Sequence, residues 1–277
     1  MRMLKQALAG LFSENELNEL YSGFDIVGDT AIIKIPDSLQ VKKKLIGQTI
    51  IQKVKPVKVV FMQSGPVSGE YRIRPLERIA GEGRTSTIYK EHNCTFLVDV
   101  AKAYFSPRLS TERLRIAKLV KEGERVLNMF AGVGIYSIII AKMQTKCEVV
   151  SIEINQNAYE SAIENGKINK VSQRVKAVLG DAKEVIKKNS IGKFDRVLMP
   201  LPESASEYLD DAIFALKPSG GWIHYYCHIH AESRESATNN SEKDLLGRLL
   251  GRGKINSIKI VRDIGPKWFQ VVADLQF

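Results

Sequence analysis

The sequence predicts an α/β protein, with a mostly parallel sheet carrying an antiparallel edge, preceded by a small α+β domain. Three observations lead there. After about residue 105, short apolar runs alternate with helical stretches, the pattern of βαβ units with helices on both faces of a sheet. Before about residue 100 the apolar runs are short, strand-like and separated by turn-rich segments. The chain has 277 residues, 44% hydrophobic and 26% charged, which is ordinary globular composition and long enough for two modest domains. The boundary is placed between residues 104 and 105.

In the first domain, Thr30–Ile35, Val57–Met62 and Cys94–Val100 read as strands. The segments SGPVSGE at 64–70 and AGEGRTS at 80–86 read as turns. A helix is expected over Ser38–Ile51, with Ser38 as its cap and three lysines facing water. In the second domain a helix over Arg108–Lys121 leads into a strand at Arg125–Phe130 and a helix at Tyr136–Met143. Strand Glu148–Ile154, helix Asn157–Asn169, strand Val175–Leu179 and helix Ala182–Lys188 continue the alternation. Strand Asp195–Met199, helix Ala205–Leu216 and strand Trp222–Cys227 follow, then a helix near Glu242–Leu250. Two final runs, Ser257–Val261 and Phe269–Leu275, have only a short link between them and read as an antiparallel pair at one edge. Trp222 and Trp268 sit in strand-like runs and are expected in the core.

The formal net charge is +10, and it is uneven. Residues 1–126 carry +7 and the remaining 151 residues only +3. A basic surface attracts polyanions, chiefly nucleic acid. No apolar run approaches the ~18 residues a membrane span needs, and Met1–Phe12 does not read as a signal peptide. Cys94, Cys147 and Cys227 are odd in number and scattered, which argues against a disulfide framework or a CxxC zinc site and fits a reducing cytoplasm.

The first strand of the second domain runs into Asn128-Met-Phe-Ala-Gly-Val-Gly-Ile-Tyr-Ser137. Gly132 and Gly134 stand where strand turns into helix and allow backbone to approach a ligand closely. The next strand ends at Glu153, 21 residues after Gly132, where a carboxylate can accept hydrogen bonds from ribose hydroxyls. Asp181 ends the third strand, within reach of an adenine amino group. A dinucleotide fingerprint wants a third glycine, and Ser137 stands in its place. A pyrophosphate needs that crowded helix N-terminus, whereas a ligand without phosphates does not. Two glycines with acids on successive strands therefore favour S-adenosylmethionine over NAD.

Phe105-Ser-Pro-Arg-Leu-Ser-Thr-Glu-Arg113, Met129-Phe-Ala-Gly-Val-Gly134, Ile152-Glu-Ile-Asn155 and Ile223-His-Tyr-Tyr226 resemble the archaeal-type tRNA (guanine-N1)-methyltransferases. So do Ser68-Gly-Glu-Tyr-Arg72 and Ile88-Tyr-Lys-Glu-His92 in the basic domain. The resemblance covers nearly all of the chain, and related enzymes of wyosine biosynthesis share much of the pattern. It implies a class I methyltransferase fold, Rossmann-like, acting on guanosine 37 beside the anticodon with S-adenosylmethionine as cofactor and tRNA as partner. Glu112 then matches the family's general base. Arg72 matches the arginine that donates to O6 of the base. Tyr104 and Arg113 line the site, and Phe130, Ile154, Ala182 and Pro200 join Gly132, Gly134, Glu153 and Asp181 around the cofactor. Two features depart from the family. Its members often carry an additional N-terminal domain that grips the tRNA elbow, and this chain starts almost directly at the second domain. The family's Asn-Leu-Pro appears as Pro200-Leu201-Pro202, which removes a side-chain donor and acceptor that orients the target base and leaves open whether a second substrate is accepted.

A glutamate of ordinary pKa, ~4.3, is a poor base for a far weaker acid. Burial against cofactor and base is expected to make Glu112 a better one, and neighbouring Arg108 and Arg113 a worse one; an ordinary helix salt bridge is its alternative role. For Arg72 the alternative is phosphate contact. Lys42, Lys43, Lys44, Lys53, Lys55 and Lys58 are expected either to contact phosphates, offsetting the cost of drawing guanosine 37 out of its stack, or to form a solvated face. Docking of the two domains on tRNA is expected to complete the site. His228-Ile-His230 has metal-like spacing without an accompanying cysteine or acid cluster, so no metal is expected. The enzyme is read as a cytoplasmic monomer. The alternatives are transfer of the cofactor's aminocarboxypropyl arm, methylation of a tricyclic wyosine precursor, an NAD-linked oxidoreductase, and a non-catalytic tRNA binder.

Overall fold

The computed structural model describes residues 2–21, 23–66, 69, 71–188 and 193–277. Ser68 and Glu70, two residues of the Ser68–Arg72 run, lie outside the described residues. The chain divides into two compact units, Met1–Arg108 and Leu109–Phe277.

In the first unit, α1 (Arg2–Leu8) and α2 (Glu14–Glu19) precede β1 (Phe24–Val27) and β2 (Thr30–Ile33), then α3 (Lys43–Lys53), β3 (Val59–Gln63) and β4 (Leu76–Gly81). The four strands lie in the order β1-β2-β3-β4, parallel only between β2 and β3, where α3 makes the crossover. A separate hairpin pairs β5 (Ser86–Glu91) with β6 (Cys94–Asp99). Ile46 and Ile50 of α3 and Leu4 and Leu8 of α1 close over Ile33, Val60 and Met62 of the sheet. Ser38 is not the cap of α3. A two-turn 3-10 helix over Asp37–Lys42 precedes that helix, and the Ser38 hydroxyl instead donates to Glu19 Oε2 at 2.5 Å. The expected solvated lysine face is also only partly realised. Lys42 and Lys43 are half-buried and paired with Glu16 (2.6 Å) and Glu77 (2.7 Å), while Lys44, Lys53, Lys55 and Lys58 are exposed.

The second unit begins with α4 (Ser110–Leu119). It alternates through β7 (Arg125–Asn128), α5 (Ile135–Met143), β8 (Glu148–Glu153), α6 (Gln156–Ile168), β9 (Val175–Leu179) and α7 (Ala182–Lys187). β10 (Arg196–Met199), α8 (Leu209–Ala215), β11 (Trp222–His230), α9 (Arg234–Leu249), β12 (Lys254–Gly265) and β13 (Trp268–Gln276) complete it. The sheet order is β12-β13-β11-β10-β7-β8-β9, with β7 to β11 parallel and β13 and β12 antiparallel, as the last two runs led one to expect. The chain winds from β7 outward through β8 and β9, then returns to β10 on β7's other side. That reversal opens a crevice at the carboxyl ends of β7 and β10, the place where open α/β sheets take ligands. Leu127, Ile152, Val197 and Met199 from the central strands are fully buried. Three expectations need correction. α9 starts at Arg234 rather than near Glu242, set by a Ser233/Ser236 capping box. The helix expected over Ala205–Leu216 opens with a 3-10 turn at Ala205–Tyr208. Trp268 is not core: it begins the hairpin's return strand, is 45% exposed and meets His230 edge-on at 5.2 Å. Trp222 is only half-buried. No helix among the described residues is long and apolar enough to cross a membrane.

Candidate active site

The glycine turn is pinned from below by buried polar side chains. Asn128, at the end of β7, donates from Nδ2 to Ser137 Oγ at 3.1 Å, and Ser151 on β8 donates to the same hydroxyl at 2.7 Å. Ser137, which stands where a dinucleotide site would have its third glycine, is thus a cross-link between two strands and α5. Gly132 and Gly134 both lie in the left-handed region (φ +56° and +82°), where a side chain is strained. A Cβ on Gly134 would also stand 3.1 Å from Ala162 Cβ, so this glycine brings α5 close to α6. The turn is tied to the next strand by its own backbone: Gly132 N–H donates to Glu153 Oε2 at 2.6 Å, and Asn155 N–H to Oε1 at 2.9 Å. Burial pushes the Glu153 carboxyl above its ordinary range, and these two backbone donors oppose the shift.

Asp181 caps α7, accepting from Lys183 N–H at 2.8 Å and Glu184 N–H at 3.2 Å. Its other oxygen takes the Tyr208 hydroxyl at 2.7 Å. Burial and the neighbouring Asp181 push the Tyr208 phenol up, so it stays a donor. The Phe130 ring meets Tyr208 edge-to-face at 5.0 Å, and Lys183 Nζ stands 4.5 Å from the Tyr208 ring. Phe130, Glu153 and Asp181 are therefore gathered at one rim, with Tyr208 as a member the sequence reading missed. Ile154 and Pro200 are half-buried, and Pro200 sits in a tight turn in which Leu201 N–H donates back to Met199 O at 2.9 Å. The Ala182 side chain is buried in the core.

Glu112 lies in the first turn of α4 and is only 8% exposed. Arg115, three residues on and so on the same helix face, grips it with a fork: Nε to Oε2 at 2.8 Å and Nη2 to Oε1 at 2.8 Å. The Tyr226 hydroxyl on β11 donates to Oε1 at 2.7 Å. Arg108, expected to bear on Glu112, is engaged within the first unit, where its Nε donates to Asp25 at 2.6 Å. Arg113 is 2% exposed. The i,i+3 spacing of Glu112 and Arg115 was the available signal for this fork.

In the first unit, Arg72 and Tyr104 are brought together. The Arg72 guanidinium stands 4.7 Å from the Tyr104 ring centroid and that of Arg74 at 5.5 Å. Arg72 has φ +52°, a strained conformation for a residue with a side chain, closed by its N–H to Gly69 O at 3.0 Å. Arg74 is held by Asp25 and by Phe105 O. His228 lies 3.5 Å from Glu203, and no group of three His, Cys, Asp or Glu among the described residues could hold a metal ion.

Residues 87–243 match the TRM5/TYW2 methyltransferase domain, and residues 4–85 match the TYW2 N-terminal domain. The chain belongs to the TRM5/TYW2 methyltransferase family. It is 39% identical over 258 residues to the tRNA (guanine(37)-N(1))-methyltransferase Trm5b of Pyrococcus abyssi, covering 93% of this chain and 75% of that one. It is 33% identical to the tRNA 4-demethylwyosine(37)-methyltransferase Taw21 of Saccharolobus solfataricus, covering 93% of this chain and 95% of the other. Among solved structures, the complex of aTrm5 with tRNALeu superposes with a TM-score of 0.85 at 32% identity, over 99% of this chain and 78% of that one. Methanocaldococcus jannaschii Trm5 in complex with adenosine gives 0.77 at 34% identity, over 95% and 76%.

Proposed function

We propose that this chain is a tRNA methyltransferase that transfers a methyl group from S-adenosylmethionine to N1 of guanosine 37 in the anticodon loop. The observation that carries the reading is a buried carboxylate, Glu112, held in the same unit as a glycine turn tied to Glu153. The names of its relatives supply the substrate.

The residues at the rim fit an adenosine without phosphates. The turn from Asn128 to Ser137 holds no lysine or arginine that would pair with a pyrophosphate. Glu153 keeps lone pairs beyond those given to Gly132 and Asn155, suited to ribose hydroxyls. Asp181, Tyr208 and Phe130 offer a carboxylate, a hydroxyl and an aromatic face, suited to a purine; Ile154 and Pro200 add apolar walls and Ala182 contributes backbone. The relative solved with adenosine supports this assignment. When bound, the cofactor supplies an electrophilic methyl group on a sulfonium.

The chain's own residues manage the proton and the charge. A carboxylate has about four lone-pair sites. Tyr226 and Arg115 Nη2 fill those of Oε1, and Arg115 Nε takes one of Oε2. One direction on Oε2 is left, and it takes the proton from N1 of guanine. Arg72 donates to O6 as that oxygen gains negative charge, a role often worth about 3 kcal/mol. Its strained backbone and its stacking on Tyr104 support a functional assignment. Arg113 and Tyr104 line the site. Lys44, Lys53, Lys55 and Lys58 contact RNA phosphates and offset the few kcal/mol of unstacking the base. In this reading residues 1–104 complete the site on the RNA and residues 105–277 hold the cofactor. The enzyme works as a cytoplasmic monomer, and the buried thiols of Cys94, Cys147 and Cys227 suit a reducing compartment.

A second substrate, a tricyclic wyosine precursor, is favoured by Pro200, which offers no amide to orient a guanine edge, and by the full-length similarity to Taw21. Incubation of the chain with unmodified tRNA transcript and labelled cofactor, followed by nucleoside mass spectrometry, tests the reading. One methyl on guanosine 37, and none on a transcript with adenosine there, is the expected result. Gain of the whole aminocarboxypropyl arm, or no gain, refutes it.

A further inference from the structure

The Arg115 fork does not end at Glu112. Its Nη1 donates to Asp274 Oδ2 at 2.7 Å and its Nη2 to Oδ1 at 3.1 Å. Asp274 belongs to β13 and is 5% exposed. It faces His224 of β11 on one side and Ser257 of β12 on the other, one row across three strands. A bulge between Ile255 and Ser257 sets that second pairing, bringing Ser257 rather than Asn256 opposite Asp274. Both row neighbours hydrogen-bond it: His224 Nδ1 at 2.6 Å and Ser257 Oγ at 2.9 Å. His224 Nε2 stands 2.7 Å from Arg196 Nη1, which can only donate, so Nε2 accepts and the Nδ1–H donates to Asp274. All four lone-pair sites of Asp274 are thereby filled. Burial works to raise the Asp274 carboxyl, but the His224 and Arg115 hydrogen bonds outweigh it and hold it well below the usual carboxylate range.

We propose that Asp274 is a positioning residue for the reaction: it fixes the Arg115 guanidinium, which in turn presents the one open lone pair of Glu112 to the proton leaving the purine. The proposal rests on the reading of Glu112 as the proton acceptor. The edge strands, which the fold places far from the glycine turn in sequence, then have a part in the chemistry. Asp274 also balances the charge on Arg115. Without it, the far side of the fork has no anchor, and the guanidinium is free to turn away from Glu112. Around Glu112 itself, Tyr226 from β11 and Tyr136 from α5 are buried phenols held neutral by burial, and the adjacent Arg113 is a further buried cation.

The test is single-turnover methyl transfer to tRNA across pH by three variants, with cofactor and tRNA dissociation constants measured on each. Glu112→Gln decides whether the carboxylate is the base. Asp274→Asn keeps size and shape and removes the charge. Its rate should fall roughly 10- to 100-fold, as when a group behind a functional ligand is removed. Both dissociation constants should hold within about twofold, so the loss falls on the chemical step and not on binding. Arg115→Lys, which keeps the charge and loses the fork, should lose rate with binding intact; it stands in should Asp274→Asn not fold. If Glu112→Gln loses the rate while the folded Asp274 or Arg115 variant keeps the wild-type rate, the positioning role is overturned. If Glu112→Gln keeps its rate, the base assignment itself has failed.

Discussion

The two units differ in how far their buried charges are linked. In the first, Arg74–Asp25 is a largely buried pair, Lys42–Glu16 and Lys43–Glu77 are half-exposed, and four further lysines stand open to solvent. In the second, Glu112, Arg115, Asp274, His224, Arg196 and Glu124 form one unbroken buried chain in which each member holds the next. Exposed pairs contribute little to stability and are screened by salt. Buried ones depend on every partner being present, because a charge left alone in a low dielectric is costly. The difference follows from the two tasks. A polyanion is held by many weak, adjustable contacts, whereas a proton acceptor needs its one free lone pair held in a fixed direction.

The comparison is broken first at the cofactor rim. Glu153→Ala removes the carboxylate proposed for the ribose and the acceptor of Gly132 N–H. Charge-assisted hydrogen bonds of this kind are worth about 1.5–3 kcal/mol each, so cofactor affinity should fall roughly 10- to 100-fold by calorimetric titration. Binding of tRNA should be almost unaffected. The converse experiment acts on the first unit. Replacing Lys44, Lys53, Lys55 and Lys58 together by alanine should leave cofactor affinity alone and weaken tRNA binding. The slope of log affinity against log salt should flatten by about three units if all four meet phosphates. A slope that does not change would make the group an ordinary solvated face. By contrast, Lys42→Ala and Lys43→Ala break half-exposed pairs and should shift unfolding free energy by no more than about 1 kcal/mol each.

The smallest expected effect is on acid stability. Burial, the largest influence, pushes His224 below its ordinary range, although Asp274 opposes it, so the folded chain holds that ring neutral. The unfolded chain binds the extra proton below about pH 6.5, so stability is full above that value and falls as pH drops through it. The depressed Asp274 acts in the same direction, its contribution full above the ordinary carboxylate range and lost as pH falls towards its lower folded value. Thermal melts between pH 8 and 3 should show both declines, and His224→Gln should lose the upper one.

The second unit was readable because its central strands are predominantly apolar runs. Val149–Ile152 and Val197–Met199 give themselves away, and the 21-residue interval from Gly132 to Glu153 ends in a real hydrogen bond. What went unread in the first unit were short or polar elements, β1 with only four residues and α1 with seven among them. β4 and β5 each have a single buried residue, so neither carries an apolar run. α2 is only six residues long, although its Ser13/Glu16 capping box was there to be read. The first half of α9 carries Ser, Thr and Asn, weak helix formers whose commitment comes from the cap at Ser233 and from packing of Ala237 and Leu245. At the site, Glu112 and Arg115 share a helix face and were accessible to spacing arguments. Asp274 was not, because its contact with Arg115 joins positions 159 residues apart and rests on the register of β13 against β11.

The central claim is that the buried carboxylate of Glu112 takes the proton from guanine N1. Single-turnover methyl transfer by wild type and Glu112→Gln, at saturating cofactor and guanosine-37 transcript, measures it. General-base loss costs about 10²- to 10⁴-fold, so the account predicts a drop in rate of that size with both substrates still bound. A Glu112→Gln variant that methylates guanosine 37 at the wild-type rate would contradict it.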